Sequence, residues 1–205
     1  MGKKWGPMVC TIVVAWCCGR AFALTLTFED IPPGQGLDYY KQQFRVTFSD
    51  GFAVQDHTGF SWGPPRSGAN VLVFAGEAQY GGRVLFGEYS WAGDDPDDIR
   101  SVGAYFSTQT GVMVSITAYY GNPGLPVGSV VIGAPGESWN NRYVEIRSPY
   151  SPFYGLQFEG VNSPEELWAF CADDMTVVPV PEPGSVAGLG LALIALSGGV
   201  LRRRQ

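Results

Sequence analysis

Val112-Met113-Val114-Ser115-Ile116-Thr117-Ala118 decides the fold class. Val112, Val114, Ile116 and Ala118 fall on one face, Ser115 and Thr117 on the other. That period of two is the signature of a strand with one buried side. Working outward, Leu24 to Phe28 and Phe44 to Phe48 alternate in the same way. Asn70 to Phe74 is an apolar run behind a Pro64-Pro65-Arg66-Ser67-Gly68 turn. Arg83–Phe86, Val102–Phe106, Val127–Ile132, Tyr143–Arg147, Phe153–Phe158 and Ala169–Val178 complete the set. These are about ten short strands at intervals of roughly ten residues. No run supports a helix of three turns, and only Pro164 to Leu167 reads as a helical turn. Short strands with single apolar faces must pack sheet on sheet. The expected fold is all-β, a jelly-roll-like antiparallel β-sandwich, with a closed barrel as the alternative.

Composition agrees. Aromatic residues make up 14% and charged residues 16%, with 28 Gly and 15 Pro in 205 residues. Many aromatics with little charge argue against disorder, and scattered Gly and Pro argue for many turns.

Both ends read as targeting segments. Lys3 and Lys4 precede an apolar run from Val9 to Cys18, and Ala21-Phe22-Ala23 supplies a small-x-small cleavage pattern. Residues 1–23 are therefore expected to be a signal peptide. Lipidation at Cys17 or Cys18 is the rival reading, but neither follows a small residue. Three of the four cysteines lie in this segment, which leaves Cys171 alone in the domain with no internal disulfide partner.

Residues 179–205 form a second unit. Val178-Pro179-Val180-Pro181-Glu182-Pro183 is a Pro-rich spacer, and Gly184 to Leu201 follows without a charge. As a helix at ~1.5 Å rise per residue, 184–201 is just long enough to span a bilayer. Arg202, Arg203 and Arg204 would stay on the cytoplasmic side, so Glu182 would face outward. A tail anchor that remains uncut is the plainer alternative.

The order Pro181-Glu182-Pro183, Gly/Ala/Leu-rich span and Arg202-Arg203-Arg204 closely resembles the PEP-CTERM sorting signal of exopolysaccharide-producing bacteria. The resemblance implies transient residence in the inner membrane after export. An exosortase would then cut near Pro-Glu-Pro and release the product to the cell surface or extracellular matrix. Residues 24–178 are more loosely similar to domains carried by such proteins. The matching segments are Leu26-Thr27-Phe28-Glu29-Asp30-Ile31-Pro32, Phe44–Ser49, Ser67–Leu72, Val102–Ser107, Val114–Tyr119 and Asp173-Asp174-Met175-Thr176. That likeness implies a lectin-like sandwich and no particular reaction.

Loss of Lys3, Lys4, Arg20 and Arg202–Arg204 from 13 basic residues would leave 7 against 19 acidic ones, near −12 for a cut just after Glu182. So acidic a domain should repel nucleic acid and anionic membranes, and could attract divalent cations. Glu29-Asp30 ends the first strand and Asp173-Asp174 sits in the last. Were those strands neighbours, four carboxylates would gather as hard oxygen ligands for structural Ca²⁺. The alternative is that Asp174 caps backbone N–H groups while the others are solvated. Asp94-Asp95-Pro96-Asp97-Asp98 reads as a solvated loop.

Trp62, Trp91 and Trp139 fall in or near loops, where exposed rings can stack on sugars or simply close the ends of the core. Tyr39, Tyr40, Tyr119, Tyr120, Tyr150 and Tyr154 share that ambiguity. Catalysis has little footing: His57 is the only histidine, and no serine sits in a nucleophile-elbow context. The expected role is a structural or adhesive matrix protein, not an enzyme. A carbohydrate-binding module for extracellular polysaccharide is the alternative.

Overall fold

A computed structural model describes residues 23–31, 36–56, 66–77, 79, 81–88, 95–96, 98–120, 125–148 and 151–180. Ala21 and the rest of 1–22, Trp62, Trp91, Pro181-Glu182-Pro183, the 184–201 span and Arg202–Arg204 lie outside the described residues. Ala23 lies within them and is exposed. Among the described residues no helix is long and apolar enough to cross a membrane.

Leu24–Val178 forms one compact unit. Its elements run β1 (Leu24–Leu26), α1 (Asp38–Phe44), β2 (Val46–Phe48), β3 (Phe52–Asp56), β4 (Asn70–Phe74), β5 (Gly82–Glu88), β6 (Asp95–Pro96), β7 (Ile99–Thr108), β8 (Val114–Tyr120), β9 (Leu125–Ile132), β10 (Trp139–Arg147), β11 (Gly155–Gly160), a 3₁₀ turn (Pro164–Ala169) and β12 (Phe170–Pro179). One sheet has the order β10-β7-β12-β4-β3, with β1 also on β12. The other has the order β2-β5-β11-β8-β9, with β6 on β5. The pairings recorded are antiparallel. The expected two-layer antiparallel architecture is what forms.

Single-faced strands explain the layering. Val114, Ile116 and Ala118 of β8 and Val102, Ala104 and Phe106 of β7 point into one shared core. Phe52 joins the layers, meeting Phe74 of its own sheet and Phe158 of the other, each with ring centroids 5.4 Å apart. Burying each such side chain contributes roughly 1.5–3 kcal/mol. Val71–Phe74 is apolar throughout because both of its faces are covered. Leu72 and Phe74 enter the main core, while Val71 and Val73 join Cys171 and Ala53 in a second cluster.

Four expectations need correction. Within Asp94–Asp98, read from the sequence as a loop, Asp95–Pro96 pairs with β5 through Gly87↔Pro96 and Glu88↔Asp95. Phe44 closes α1 instead of opening a strand, because Arg45 adopts a left-handed φ of 58° and its N–H caps the Lys41 carbonyl. Phe52–Asp56 is a strand that the sequence reading missed, since its outer half (Gln55, Asp56) is polar. The expected strand at Phe28 stops at Leu26, because Phe28 has a φ of 61°.

β12 contains the least regular feature. Phe170 and Ala172 face the core, and so do Met175 and Val177. The alternation slips by one residue at Asp174, whose φ is 47°. This bulge keeps the carboxylate out of the apolar interior and divides the strand into two halves. The first half pairs β4 through Cys171↔Val73, the second β1 through Leu26↔Met175.

Candidate functional site

The chain's first and last strands are neighbours: Leu24 pairs with Val177 and Thr25 with Thr176. Acidic residues just past β1 and in the middle of β12 bond a single segment, Ser67–Asn70. The Glu29 carboxylate accepts the Ala69 N–H at 2.8 Å and also the Asn70 N–H and side-chain amide. Gly68 makes this approach possible. Its φ is +53°, and a Cβ there would lie 2.2 Å from the Glu29 carboxyl carbon. From β12, Asp173 Oδ2 accepts the Ser67 N–H at 2.8 Å, and Asp174 Oδ1 accepts the Ser67 hydroxyl at 2.7 Å. Asp173 Oδ1 also accepts the Asp174 N–H at 2.7 Å.

Asp173 is only 2% exposed. Burial pushes its carboxyl above the usual range, against the N–H bonds that hold it down. Asp30 points elsewhere: it accepts the Tyr40 hydroxyl at 2.6 Å, and that same oxygen receives the Phe28 N–H at 2.9 Å. Burial, then the bond to Asp30, raise the Tyr40 hydroxyl far above the tyrosine range. Tyr40 is fully buried and is therefore a core residue with a satisfied polar tip. Of the four expected metal ligands, Glu29, Asp173 and Asp174 meet one loop and Asp30 does not. Among the described residues no three His, Cys, Asp or Glu side chains form a ready-made metal group.

The aromatic candidates separate equally clearly. Trp139 packs on the core edge, and the Arg142 guanidinium lies 5.0 Å from its ring centroid. That ring face is taken by the chain itself. Tyr120 and Tyr154 pair at 6.1 Å near the end of β8.

The best-presented ring was not among the sequence candidates. Tyr143 of β10 sits opposite Tyr105 of β7 on the outer face of the sheet, with centroids 5.2 Å apart at 58°. Tyr143 is 51% exposed. Its phenol lies across Gly103, where a Cβ would come within 2.1 Å of the hydroxyl oxygen. Only a residue without a side chain leaves room for the ring. Polar groups frame the pair. The Arg66 guanidinium carbon lies 5.1 Å above the Tyr105 ring centre. Arg147 bonds Glu145 at 2.8 and 3.0 Å. Burial pushes the Glu145 carboxyl up, but bonds from Ser101 and Arg147 outweigh it and hold the group below its ordinary value. Burial, followed by the charge of Glu145, raises the Tyr143 hydroxyl, which stays protonated at neutral pH. The alternation Tyr143-Val144-Glu145-Ile146-Arg147 was the available signal. It marks a strand, and a period of two does not tell a ligand platform from an ordinary solvent face.

Cys171 has no catalytic setting. It is buried, and that burial pushes its thiol up to about 12.

No protein-family model and no curated protein matches this chain. Solved structures give distant likenesses. The K2 cleaved adhesin domain of Lys-gingipain is 11% identical with a TM-score of 0.40, covering 76% of this chain and 97% of that domain. An arabinose-bound α-L-arabinofuranosidase is 12% identical with a TM-score of 0.47; 81% of this chain matches 28% of the enzyme. The xylan-binding domain of Paenibacillus barcinonensis Xyn10C is 13% identical with a TM-score of 0.36, covering 78% and 94%. These structure neighbours include carbohydrate-binding and adhesin domains, but at such scores no residue role or ligand passes to this chain.

Proposed function

We propose that this chain is an exported cell-surface or matrix protein whose sandwich binds extracellular polysaccharide across the Tyr105–Tyr143 face, without catalysing a reaction. The observation that carries the binding reading is the half-exposed Tyr143 ring, its hydroxyl end over Gly103 and its side against Tyr105. The apolar C–H face of a pyranose stacks on such a ring, and Glu145, Arg147 and Arg66 stand ready for its hydroxyls. A sheet face holds these groups in place before the ligand arrives, so little side-chain entropy is lost on binding.

The export reading rests on the sequence of the two tails. Lys3 and Lys4 with Ala21 and Ala23 support a signal peptide, and Pro181-Glu182-Pro183 with Arg202–Arg204 supports exosortase sorting. Calcium belongs to the same proposal. Glu29, Asp173 and Asp174 direct three carboxylates at one loop, an all-oxygen donor set suited to a hard divalent cation. The three do not form a ready-made ligand group, so an ion there would have to draw their oxygens together at the expense of the N–H and O–H bonds they already accept.

Affinity electrophoresis through gels containing soluble neutral polysaccharides tests the binding reading. Retardation of the wild type, weakened about tenfold in Kd by Tyr143→Ala, is expected for a stacking residue. Equal retardation of both proteins would remove the sheet face from consideration. Mass spectrometry of the native product tests the sorting: an intact Arg202-Arg203-Arg204 terminus would leave a permanent anchor.

A further inference from the structure

Trp168 is the penultimate residue of the 3₁₀ turn that leads into β12, and is 53% exposed. Its indole N–H donates to the Gly76 carbonyl at 2.8 Å. Gly76 is itself fixed, because the Ala75 and Gly76 N–H groups both donate to the Gly51 carbonyl, at 2.7 and 3.1 Å. An exposed tryptophan ordinarily turns its N–H to water. Here the one polar atom of the ring is used internally, so the surface left to solvent is apolar and its orientation is set. The 3₁₀ turn is secured in turn by Glu166, which accepts the Met113 and Asn162 N–H groups at 3.2 and 2.7 Å.

The surroundings choose the ligand. Three exposed residues of the two joined segments are acidic or amide-bearing, Glu165 in the same turn and Glu77 and Gln79 just beyond Gly76, and the exposed apolar ones are the small Ala75 and Pro164. Glu77 and Gln79 bond each other at 3.1 Å. A protein-binding hot spot needs a ring of apolar contacts that excludes water around its anchor. One fixed indole, with two carboxylates, an amide and no large exposed apolar neighbour on the described residues of the two segments that carry it, Pro164–Ala169 and Ala75–Gln79, instead fits a single sugar ring.

We infer that Trp168 is a second carbohydrate-stacking site, separate from the Tyr143 face, that engages a pyranose of an extracellular polysaccharide. It rests on the reading of the domain as a polysaccharide binder, but on none of the same residues. The two rings occupy different places on the sandwich. Tyr143 pairs with Tyr105 in the middle of β7, whereas the residue after Trp168, Ala169, meets Gln109 beyond the end of β7 at 3.0 Å.

Affinity electrophoresis of the full chain in mild detergent, through gels of β-glucan, galactomannan and xylan, tests this inference. Trp168→Ala should weaken binding about tenfold. Trp168→Phe, which keeps an aromatic face but not the N–H, should recover most of it. Tyr143→Ala should leave residual binding that Trp168→Ala then removes. A Trp168→Ala protein with unchanged near-ultraviolet dichroism from its other aromatic residues and wild-type retardation would overturn the second site while leaving the Tyr143 face standing. Binding lost with Trp168 and unaffected by Tyr143→Ala would do the reverse. A wild type retarded by none of the three polysaccharides overturns both.

Discussion

Ser67 and Asp173 stand 106 positions apart in sequence and share a backbone N–H to carboxylate bond of 2.8 Å. The neighbouring Asp174 takes the Ser67 hydroxyl at 2.7 Å. The bulge at Asp174 is what lets two consecutive carboxylates serve one serine, since regular alternation would send them to opposite faces.

This pairing should be the more costly one to break from the buried side. Asp173→Asn keeps the shape but replaces one acceptor oxygen with a donor facing an N–H. It should lower unfolding free energy by about 1–3 kcal/mol. Ser67→Ala loses only the hydroxyl bond and should cost about 1 kcal/mol. Urea denaturation of both variants checks the order. A larger loss for Ser67→Ala would mean that the Asp173 bonds carry little.

Calcium should act on the same loop. An ion bound only by the folded state at about a hundred times its Kd adds roughly 2.7 kcal/mol. For a domain of this size that is a rise in Tm of about 5–10 °C. Melting in calcium against EDTA should show it, and Glu29→Gln should abolish it. Superimposed curves would leave the three carboxylates as a loop clamp alone.

Acid should weaken the turn that carries Trp168. Burial pushes the Glu166 carboxyl up, but the bonds from Asn162 and Met113 outweigh it and hold the group below the usual range. A depressed carboxyl contributes stability above its unfolded pKa, and that contribution disappears as pH falls through the folded value. Glu166→Gln should therefore be less stable than wild type at pH 7 by about 1 kcal/mol, with the gap closing below roughly pH 4. Paired thermal melts from pH 3 to 7 measure the difference. A gap that stays constant with pH would assign the effect to packing.

Cys171 should resist alkylation. Its thiol is buried and pushed up to about 12, so almost no thiolate exists at pH 8. Iodoacetamide should leave it unmodified in the folded protein and label it within minutes in denaturant. Rapid labelling of the native form would mean that the Val71–Val73–Cys171 cluster opens readily.

The sequence by itself determined the layered β architecture. Runs such as Val114–Ala118 and Val102–Phe106 carry their own period of two, and a strand with one apolar side has to find a second sheet. It also identified Pro164–Leu167 as a helical turn, because Pro and two acidic residues suit the start of one. Tertiary structure decided the rest. Whether an acidic residue is a ligand, a clamp or a core cap depends on donors far away in sequence. Glu29 meets Asn70 and Asp173 meets Ser67, while Asp30, next to Glu29, turns to Tyr40. Whether an aromatic ring is presented or buried depends on what crosses it. Arg142 covers Trp139, whereas Gly103 supports Tyr143 and Gly76 pins Trp168. Periodicity is a local property of the backbone, legible in seven residues. A site is a meeting of side chains across sheets and loops, and only the folded chain brings them together.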